Sequence, residues 1–225
     1  MNPATVIINA AGRARRMGLN TNKALIEFQG KPLIAWQLES VPRDVEVVVG
    51  LGFQADQVLS AAQSIRKGIS HVTNACYLKT GTAATLSLVA RSLHGRVVSL
   101  DGDLLVHPED LLAFIYSTED LLGIGPLQSE EPIGVSTQVI AGTRMGKAFL
   151  ESPFQLENNT FEWTGLVNFD PQKSTLGNSR RNVHHMLEPS LPCKTRMIRS
   201  TEIDYEREIP SMDTWIRRHL APSDG

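Results

Sequence analysis

Short apolar runs alternate with helix-like segments along the first half of the chain, and this alternation constrains the fold more than any other feature. Residues 5–9 form the first β-branched run, and the small residues that follow it are typical of a buried parallel strand entering a loop. Further predicted elements are strands at 45–49, 69–73 and 96–100 and helices at 32–39, 54–66 and 82–93. The pattern predicts a Rossmann-like, doubly wound, mostly parallel (mixed) α/β sheet with helices on both faces.

The second half of the chain is less regular. Residues 108–117 predict a helix, and short strand-like runs broken by Gly and Pro predict a sheet extension and acceptor lid at about 121–170. The last predicted elements are a helix at 179–187, a strand at 195–199 and a helical ending at 206–220 that Pro210 interrupts. Since the sequence contains no repeat or convincing linker, we expect one domain over residues 1–225.

Composition excludes several classes of protein. Hydrophobic residues make up 41% of the chain, charged residues 20%, and the net charge is -2. These values are typical of a globular protein and lack the positive excess of a duplex-binding one. No basic region precedes the N-terminal apolar run, and no apolar stretch reaches the roughly 20 residues that cross a bilayer. We therefore expect a cytoplasmic protein with neither nucleic acid nor membrane as a partner.

A basic, small-residue loop follows the first predicted strand. Ala10, Ala11 and Gly12 are small enough for a backbone to approach a phosphate closely. Arg13, Arg15 and Arg16 follow them, and Lys23 comes a few residues later, so fixed cations can neutralise a triphosphate and the departing pyrophosphate. The segment is neither a Walker loop nor a dinucleotide-binding loop. Standing alone, it would be a solvated basic turn.

The loop does not stand alone. The motifs Ala-Ala-Gly-x-x-x-Arg-Met-Gly at 10–18, Lys-Ala-Leu at 23–25 and Gly-Lys-Pro-Leu-Ile at 30–34 resemble the nucleotidyltransferase family. That family includes sugar-phosphate nucleotidyltransferases and phosphocholine cytidylyltransferases. The resemblance implies the nucleotide-diphospho-sugar transferase type of fold and a nucleoside triphosphate as substrate. Departures at Ala14 and Asn22, where the family usually has a Gly/Ser and often a Pro, remove no charge.

The resemblance also implies roles for the loop. Ala11, Gly12 and Arg13, with Ala10 before them, would line the nucleotide. Arg16 would hold the triphosphate. Lys23 would contact the α-phosphate or the incoming phosphate.

Two acidic segments resemble the metal ligands of this family. Asp101 and Asp103 flank a glycine where a predicted strand ends, and two carboxylates at this spacing can face the same side. Alone, the pair would be read equally well as an Asx turn. The resemblance implies Asp103 as a Mg²⁺ ligand, with Asp101 less certain, and Asp204 as the second ligand from the closing acidic motif. Hard carboxylate oxygens suit Mg²⁺. Alone, Asp204 would be read as a helix N-cap.

Further residues are candidates for substrate contacts. Asn74 and Thr82 lie in a segment that resembles the nucleotide side of cytidylyltransferases, although a capped loop explains it equally well. Glu162, Trp163 and Tyr205 could form an acceptor pocket, in which an aromatic wall beside a carboxylate suits an ammonium group. A core position is the commoner explanation of a tryptophan.

No covalent nucleophile is required, because a phosphate or phosphonate oxygen is anionic near neutral pH. The adjacent His184 and His185 lack the spacing of a zinc protease, and neighbouring side chains diverge on a helix, so we expect a surface or packing role. The function that the sequence favours is transfer of CMP from CTP to phosphocholine, phosphoethanolamine or 2-aminoethylphosphonate. The open alternatives are a sugar-1-phosphate nucleotidyltransferase, a metal-dependent glycosyltransferase and a non-catalytic nucleotide-binding regulatory domain. A homodimer also stays open.

Overall fold

The computed structural model describes residues 3–14, 16–155, 157–174, 176–177 and 181–221. Short strands and helices alternate along this part of the chain. The strands are β1 (Thr5–Ala10), β2 (Glu27–Phe28), β3 (Lys31–Pro32), β4 (Val47–Leu51), β5 (Ser70–Thr73), β6 (Val97–Asp101), β7 (Leu104–Val106), β8 (Leu121–Gly125), β9 (Gly134–Ile140), β10 (Thr143–Leu150), β11 (Thr160–Phe169), β12 (Cys193–Met197) and β13 (Ser200–Glu202). The helices are α1 (Leu33–Glu39), α2 (Ala55–Ile65), α3 (Thr82–Ala90), α4 (Pro108–Ile115), α5 (Val183–Leu187) and α6 (Ile209–His219), with 3₁₀ turns at Lys23–Leu25, Glu188–Ser190 and Glu206–Glu208.

Nine strands form one mixed sheet in the order β5-β4-β1-β6-β11-β8-β12-β10-β9. The strands β5, β4, β1 and β6 are parallel to one another, whereas β11 runs antiparallel to both β6 and β8. Residues 121–170 supply β8 to β11, so this segment lengthens the same sheet. The predicted doubly wound, mixed α/β fold is confirmed.

Helices cover both faces of the sheet because its central strands are buried on both sides. Along β1, Val6 and Ile8 point into a core beneath α1, α2 and α4. The intervening Ile7 points into the core beneath α3 and α5. This alternation follows from the two-residue period of a strand. A run of β-branched residues therefore serves two cores at once.

A third, smaller core lies between α1 and α6. Met212 and Ile216 of α6 are fully buried there together with Trp36, and Ala14 and Met17 of the basic loop belong to the same cluster. The loop after β1 is thus anchored by apolar contacts at two points, while its polar residues remain available to a ligand.

Several element boundaries differ from the sequence predictions. Pro210 does not interrupt a helix, because it lies in the first turn of α6, where its missing N–H has no partner to lose. The strand predicted at 195–199 is Cys193–Met197. The helix predicted from 179 is observed only over Val183–Leu187, and residues 179–180 lie outside the described ranges. No helix in the described part of the chain is long and apolar enough to span a bilayer.

Candidate active site

Two parallel strands bring the basic loop and the first acidic segment to the same edge of the sheet. β1 and β6 are hydrogen-bonded neighbours, and Asn9 lies opposite Asp101. The basic loop begins one residue after Asn9, and Asp103 follows Asp101 by two positions. The backbone of Gly102 lies close to the end of β1, and its amide donates a 3.0 Å hydrogen bond to the Asn9 carbonyl. The register of one strand pair therefore sets the distance between phosphate loop and carboxylates.

A two-stranded ladder brings in the second acidic segment. β13 pairs antiparallel with β7, and Glu202 lies opposite Leu104. Because Leu104 directly follows Asp103 and Asp204 lies two positions after Glu202, this pairing places Asp204 beside Asp103. The two carboxylates are distant in sequence yet meet at one point.

Lys23 lies between these two carboxylates. Its Nζ is 2.7 Å from Oδ2 of Asp103 and 2.6 Å from Oδ1 of Asp204. The other oxygen of Asp204 accepts a 3.0 Å hydrogen bond from Nη1 of Arg16. Four residues predicted from sequence, Arg16, Lys23, Asp103 and Asp204, thus form one continuous network, which we call the charge cluster.

The charge cluster perturbs its own members. Burial alone would lower the pKa of Lys23, but the negative charges of Asp103 and Asp204 outweigh it and hold that pKa above its ordinary value. Burial, followed by repulsion from Asp103, raises the pKa of the Asp101 carboxyl. Lys23 therefore stays charged in this structure, whereas the Asp101 carboxyl ionises less readily than an ordinary aspartate.

Asn22 fixes the backbone on which Lys23 sits. Its buried side chain donates hydrogen bonds to the carbonyls of Ala10 at 2.7 Å and Phe53 at 2.9 Å and accepts one from Ala24 N at 3.0 Å. Its φ of -81° and ψ of 133° are extended, but its own N–H donates to Gln54, a bond that proline could not make. Where the family often has a proline, the hydrogen bonds of Asn22 therefore hold the backbone in place of a proline ring.

The remaining cations of the loop lie closer to solvent. Nη2 of Arg16 also contacts Oε2 of Glu131 at 3.2 Å, and about half of its side chain is exposed. Arg13 donates a 2.7 Å hydrogen bond to Asn20 and lies 5.3 Å above the Phe53 ring. Arg15 lies outside the described residues. Gly12 presents open space, because a Cβ built there would meet nothing within 4 Å.

A recess of about 550 Å³ opens beside the charge cluster. Its walls include Asp204, Tyr205, Glu202, Glu162 and Trp215. The recess is therefore acidic and partly aromatic, and it shares Asp204 with the charge cluster. A ligand that filled it would lie next to Lys23.

The carboxylate of Glu162 is already engaged by the recess wall. It accepts hydrogen bonds from the backbone N–H groups of Gln128, at 2.6 Å, and Ser129, at 3.2 Å, and from the Ser129 hydroxyl. Glu162 thus holds the loop after β8 in place. The neighbouring Trp163 does not reach the recess, because its ring packs in the core against Phe149 and His184. Adjacent positions on a strand point to opposite faces, so the two could not share a pocket.

Two residues of the recess, Glu202 and Trp215, were not predicted from the sequence. Part of the Glu202 side chain is exposed at the recess wall. Partial withdrawal of its carboxyl from bulk water, together with repulsion from Asp103 and Asp204, raises its pKa to about 9. Trp215, on α6, supplies the aromatic surface that was expected from Trp163. Its neighbour Tyr205 also lines the recess, with the Arg207 guanidinium 4.4 Å from its ring centroid.

A model of the MobA-like NTP transferase domain matches residues 6–120, which carry the basic loop, Lys23 and Asp103. The chain belongs to this family. The match covers about half of the chain, and Asp204 and most of the recess lie beyond it.

Relatives of this NTP transferase domain are similar over limited stretches. The 2-C-methyl-D-erythritol 4-phosphate cytidylyltransferase of Synechococcus sp. is 36% identical over 66 residues, 28% of this chain and 29% of the relative. The bifunctional protein GlmU of Neisseria meningitidis serogroup C is 27% identical over 155 residues, 67% of this chain and 33% of the relative. The chain spans about a third or less of the length of these curated relatives.

Solved structures match this chain nearly from end to end. The inositol-1-phosphate CTP transferase from T. maritima has a TM-score of 0.70 at 16% identity, with 98% of each chain covered. The CTP:phosphocholine cytidylyltransferase from Streptococcus pneumoniae has a TM-score of 0.68 at 16% identity, covering 95% of this chain and 99% of that one. At such low identity these likenesses establish the fold, which is the predicted nucleotide-diphospho-sugar transferase type.

The two nucleotide-side candidates of this NTP transferase domain make internal hydrogen bonds. The Asn74 amide donates to Thr80 Oγ1 at 3.1 Å and Thr85 Oγ1 at 3.0 Å, and its carbonyl accepts from Cys76 N at 2.9 Å. The Thr82 hydroxyl accepts a 3.3 Å hydrogen bond from Val183 N. Asn74 is buried, so it shapes the loop before α3. A direct contact of Asn74 or Thr82 with a base or ribose stays a prediction.

Proposed function

We propose that this protein is a nucleotidyltransferase that transfers a nucleoside monophosphate from a nucleoside triphosphate to a small phosphorylated or phosphonate acceptor and releases pyrophosphate. The observation that carries the proposal is the charge cluster, in which Lys23 is shared by Asp103 and Asp204 while Arg16 holds the second oxygen of Asp204. The cations and the carboxylates of the charge cluster lie together at the edge of the sheet where the basic loop follows β1. The fold and the family membership are consistent with this chemistry.

The reaction needs positioned charge more than it needs a protein nucleophile. An anionic oxygen of the acceptor attacks the α-phosphorus, a new P–O bond forms, and the bond to the bridging oxygen breaks so that pyrophosphate departs with that electron pair. Lys23 would hold the α-phosphate or the acceptor phosphate, and Arg16 the charge that develops on the leaving group. The open space at Gly12 leaves its backbone accessible to a phosphate. Both reactants would then be aligned within one pocket.

The charge cluster also suits a divalent ion. Asp103 and Asp204 already share one cation, the ammonium of Lys23, and their hard oxygens match the preference of Mg²⁺. When bound, Mg²⁺ would neutralise charge on the transferring phosphate. Lys23 would move from the carboxylates toward the phosphate, because both cations cannot occupy the same point between two oxygens. Asp101 is the less certain ligand, because burial raises the pKa of its carboxyl.

The recess favours an acceptor that carries an ammonium group. Glu202, Tyr205 and Trp215 combine a carboxyl with aromatic surfaces, an arrangement that attracts organic cations. An ammonium beside Glu202 would offset the surrounding carboxylates and favour the ionised form of Glu202. Glu162 contributes to the negative field while its oxygens hold the loop at Gln128 and Ser129. Phosphocholine, phosphoethanolamine and 2-aminoethylphosphonate fit this description. CTP is the donor that we favour, because the segment with Asn74 and Thr82 resembles that of cytidylyltransferases.

A matrix of substrates tests the proposal. Purified protein is incubated with each nucleoside triphosphate and each of phosphocholine, phosphoethanolamine, 2-aminoethylphosphonate and sugar 1-phosphates, with Mg²⁺ or with EDTA, and pyrophosphate and the nucleotide product are measured. We expect CTP with an amine-bearing acceptor to give the highest kcat/KM and EDTA to abolish turnover. Turnover only with sugar 1-phosphates would mean that the acceptor is a sugar 1-phosphate and not an amine-bearing phosphate. Consumption of a nucleotide sugar would favour a glycosyltransferase, and nucleotide binding without any turnover a regulatory domain.

Substitutions link that activity to the charge cluster. Asp103→Asn and Asp204→Asn should each lower kcat by at least about 100-fold, because each removes a charge from the proposed ion site while keeping the side-chain shape. Asp213→Asn on α6 is the matched control, since Asp213 pairs with Arg217 outside the charge cluster. Near-normal turnover in either cluster variant would remove that carboxylate from the mechanism.

A further inference from the structure

A second group of metal-type side chains lies outside the charge cluster and the recess. Glu151 follows β10, and His184 and His185 lie on α5. Nε2 of His184 is 3.0 Å, and Nε2 of His185 2.9 Å, from the same oxygen, Oε1 of Glu151. Potential ligand atoms of the three residues all lie within 4.8 Å of one another. Among the described residues, these three form the group of His, Cys, Asp and Glu side chains whose potential ligand atoms lie this close together.

The two imidazoles converge, contrary to the expectation that neighbouring helical side chains diverge. Their ring centroids are 4.1 Å apart with planes inclined at 34°. The helix that carries them is only five residues long, and Phe149 and Trp163 pack against the His184 ring at 5.9 and 6.2 Å. Tertiary packing therefore sets the ring directions.

We propose that Glu151, His184 and His185 bind one divalent transition-metal ion of the zinc class. Two imidazole nitrogens and one carboxylate oxygen form a ligand set that Zn²⁺ commonly takes in proteins, with water in the fourth position. The set is softer than that of the charge cluster, whose oxygens suit Mg²⁺, so two sites of different preference coexist in one chain.

Burial supports a preformed site with an open side. The side chains of His184 and His185 are 4% and 13% exposed, whereas that of Glu151 is 56% exposed. The fold therefore holds both nitrogens with little freedom to lose on binding, and the carboxylate side admits the ion and a water molecule.

The hydrogen bonding of the group without an ion is crowded. Two imidazoles share a single carboxylate oxygen, Oε1 of Glu151. With the ion bound, each ligand has a bond of its own to the metal. In each neutral ring the proton then sits on Nδ1 and the lone pair of Nε2 binds the ion, so no net proton or electron transfer is required.

An ion at this position would tie two separate parts of the chain together. The segment that enters α5 already contacts the start of α3, since Ala83 N donates to the Arg181 carbonyl at 3.1 Å and Val183 N to the Thr82 hydroxyl at 3.3 Å. Glu151 directly follows β10. The ion would therefore link the end of β10 to the segment that supports α3, while its fourth position stays open to water.

Equilibrium dialysis of the full chain, free of any affinity tag, tests the proposal. Zn²⁺ is added in the presence of excess Mg²⁺, which occupies hard-oxygen sites. We expect one Zn²⁺ per chain, a raised Tm, and at least about tenfold weaker binding in Glu151→Gln. The exposed Glu157→Gln is the matched control and should bind as the parent does. Because Glu151 is itself exposed, its substitution should leave the fold intact, which circular dichroism checks.

Co²⁺ provides a readout of position. The ion should develop the visible absorption of imidazole-bound Co²⁺ and quench the fluorescence of Trp163, whose ring is 6.2 Å from that of His184. Trp163→Phe should remove that quenching while Zn²⁺ still binds, and His185→Gln should weaken Zn²⁺ binding and remove the absorption. Binding that is unchanged in Glu151→Gln and His185→Gln, or that is lost instead in Asp103→Asn, would overturn the proposal, as would no binding at all.

Discussion

Nζ of Lys23 lies 2.6 Å from Oδ1 of Asp204, although 181 positions separate the two residues in the chain. The ammonium occupies the place between two carboxylates where a divalent ion would be attracted. We therefore predict that Lys23→Met lowers kcat by at least about 100-fold while Mg²⁺ binds more tightly, because the phosphate loses a cation and Mg²⁺ loses a competitor. Mg²⁺ titration followed by Tm, alongside steady-state kinetics, measures both effects.

Lys31→Met is the matched control for this substitution. Lys31 pairs with Glu39 and lies 4.5 Å above the Trp36 ring, away from the charge cluster. It should leave both kcat and the Mg²⁺ midpoint nearly unchanged. If Mg²⁺ binding weakened together with turnover in Lys23→Met, Lys23 would be a support of the ion site and not a competitor for it.

Two glycines at the active edge should respond in opposite ways to an added methyl group. At Gly102, a Cβ would lie 2.8 Å from the Asn9 carbonyl oxygen and 2.9 Å from Ala10 Cα, so Gly102→Ala must push β1 and β6 apart. We expect it to destabilise the fold by about 1–3 kcal/mol and to reduce kcat. At Gly12 the Cβ meets nothing within 4 Å. Gly12→Ala should therefore keep the stability within about 1 kcal/mol and raise the KM for the nucleotide.

Urea unfolding and nucleotide saturation curves separate the two glycine variants. The contrast is informative because the same chemical change is made on neighbouring loops. A Gly12→Ala variant with an unchanged nucleotide KM would mean that no phosphate approaches that backbone, and the proposed contact would be withdrawn.

Much of the active edge is predictable because its signals are local. The first strand, the basic loop and Lys23 lie close together in the sequence. Asp101 is the last residue of a buried strand, and Asp103 follows it by two positions. Parallel strands place their carboxyl ends together, so convergence of these groups follows from the fold class. Asp204 was accessible only by resemblance.

The recess was harder to predict for physical reasons. β13 is three residues long, and it exists because it pairs with β7, a contact that no local pattern reports. The side on which Glu202 faces depends on that register, since a shift of one residue reverses every side chain of a strand. The same rule sends Trp163 to the core while its neighbour Glu162 reaches the recess wall. Choosing Trp215 instead required knowing where α6 packs.

Asn22 should matter for stability as well as for catalysis. Replacing it by Ala leaves the carbonyls of Ala10 and Phe53 without donors in a buried setting. We expect Asn22→Ala to lower the free energy of unfolding by about 2–4 kcal/mol and to reduce kcat/KM, because the turn that carries Lys23 loses its anchor. Urea denaturation measures the first effect and pyrophosphate release the second.

Asn20→Ala provides the comparison for Asn22. Asn20 is exposed and accepts one hydrogen bond from Arg13 at the surface. Its replacement should change the free energy of unfolding by no more than about 0.5 kcal/mol. Equal losses in the two variants would show that the buried amide of Asn22 contributes nothing beyond the local turn.

The raised pKa of Glu202 predicts how stability depends on pH. In the unfolded chain Glu202 ionises around its ordinary value of 4.5, whereas in the folded protein its pKa is raised toward about 9, and the water that reaches the side chain limits how much of this shift appears as stability. Between these values the unfolded state binds fewer protons, so the Glu202 contribution makes stability fall as pH rises. Glu202→Gln cannot ionise in either state. The variant should therefore equal the parent below about pH 4.5 and be more stable between about pH 5 and 9.

Water reaches the Glu202 side chain, so the gain at pH 8 should stay below about 1 kcal/mol. Urea unfolding of both proteins across this pH range, in EDTA so that no divalent ion enters the charge cluster, measures the difference. Glu206→Gln, four positions further along the chain and exposed, should follow the parent curve throughout. A stability difference between Glu202→Gln and the parent that is constant with pH would mean that the Glu202 carboxyl ionises alike in both states and that the recess does not withdraw it from water.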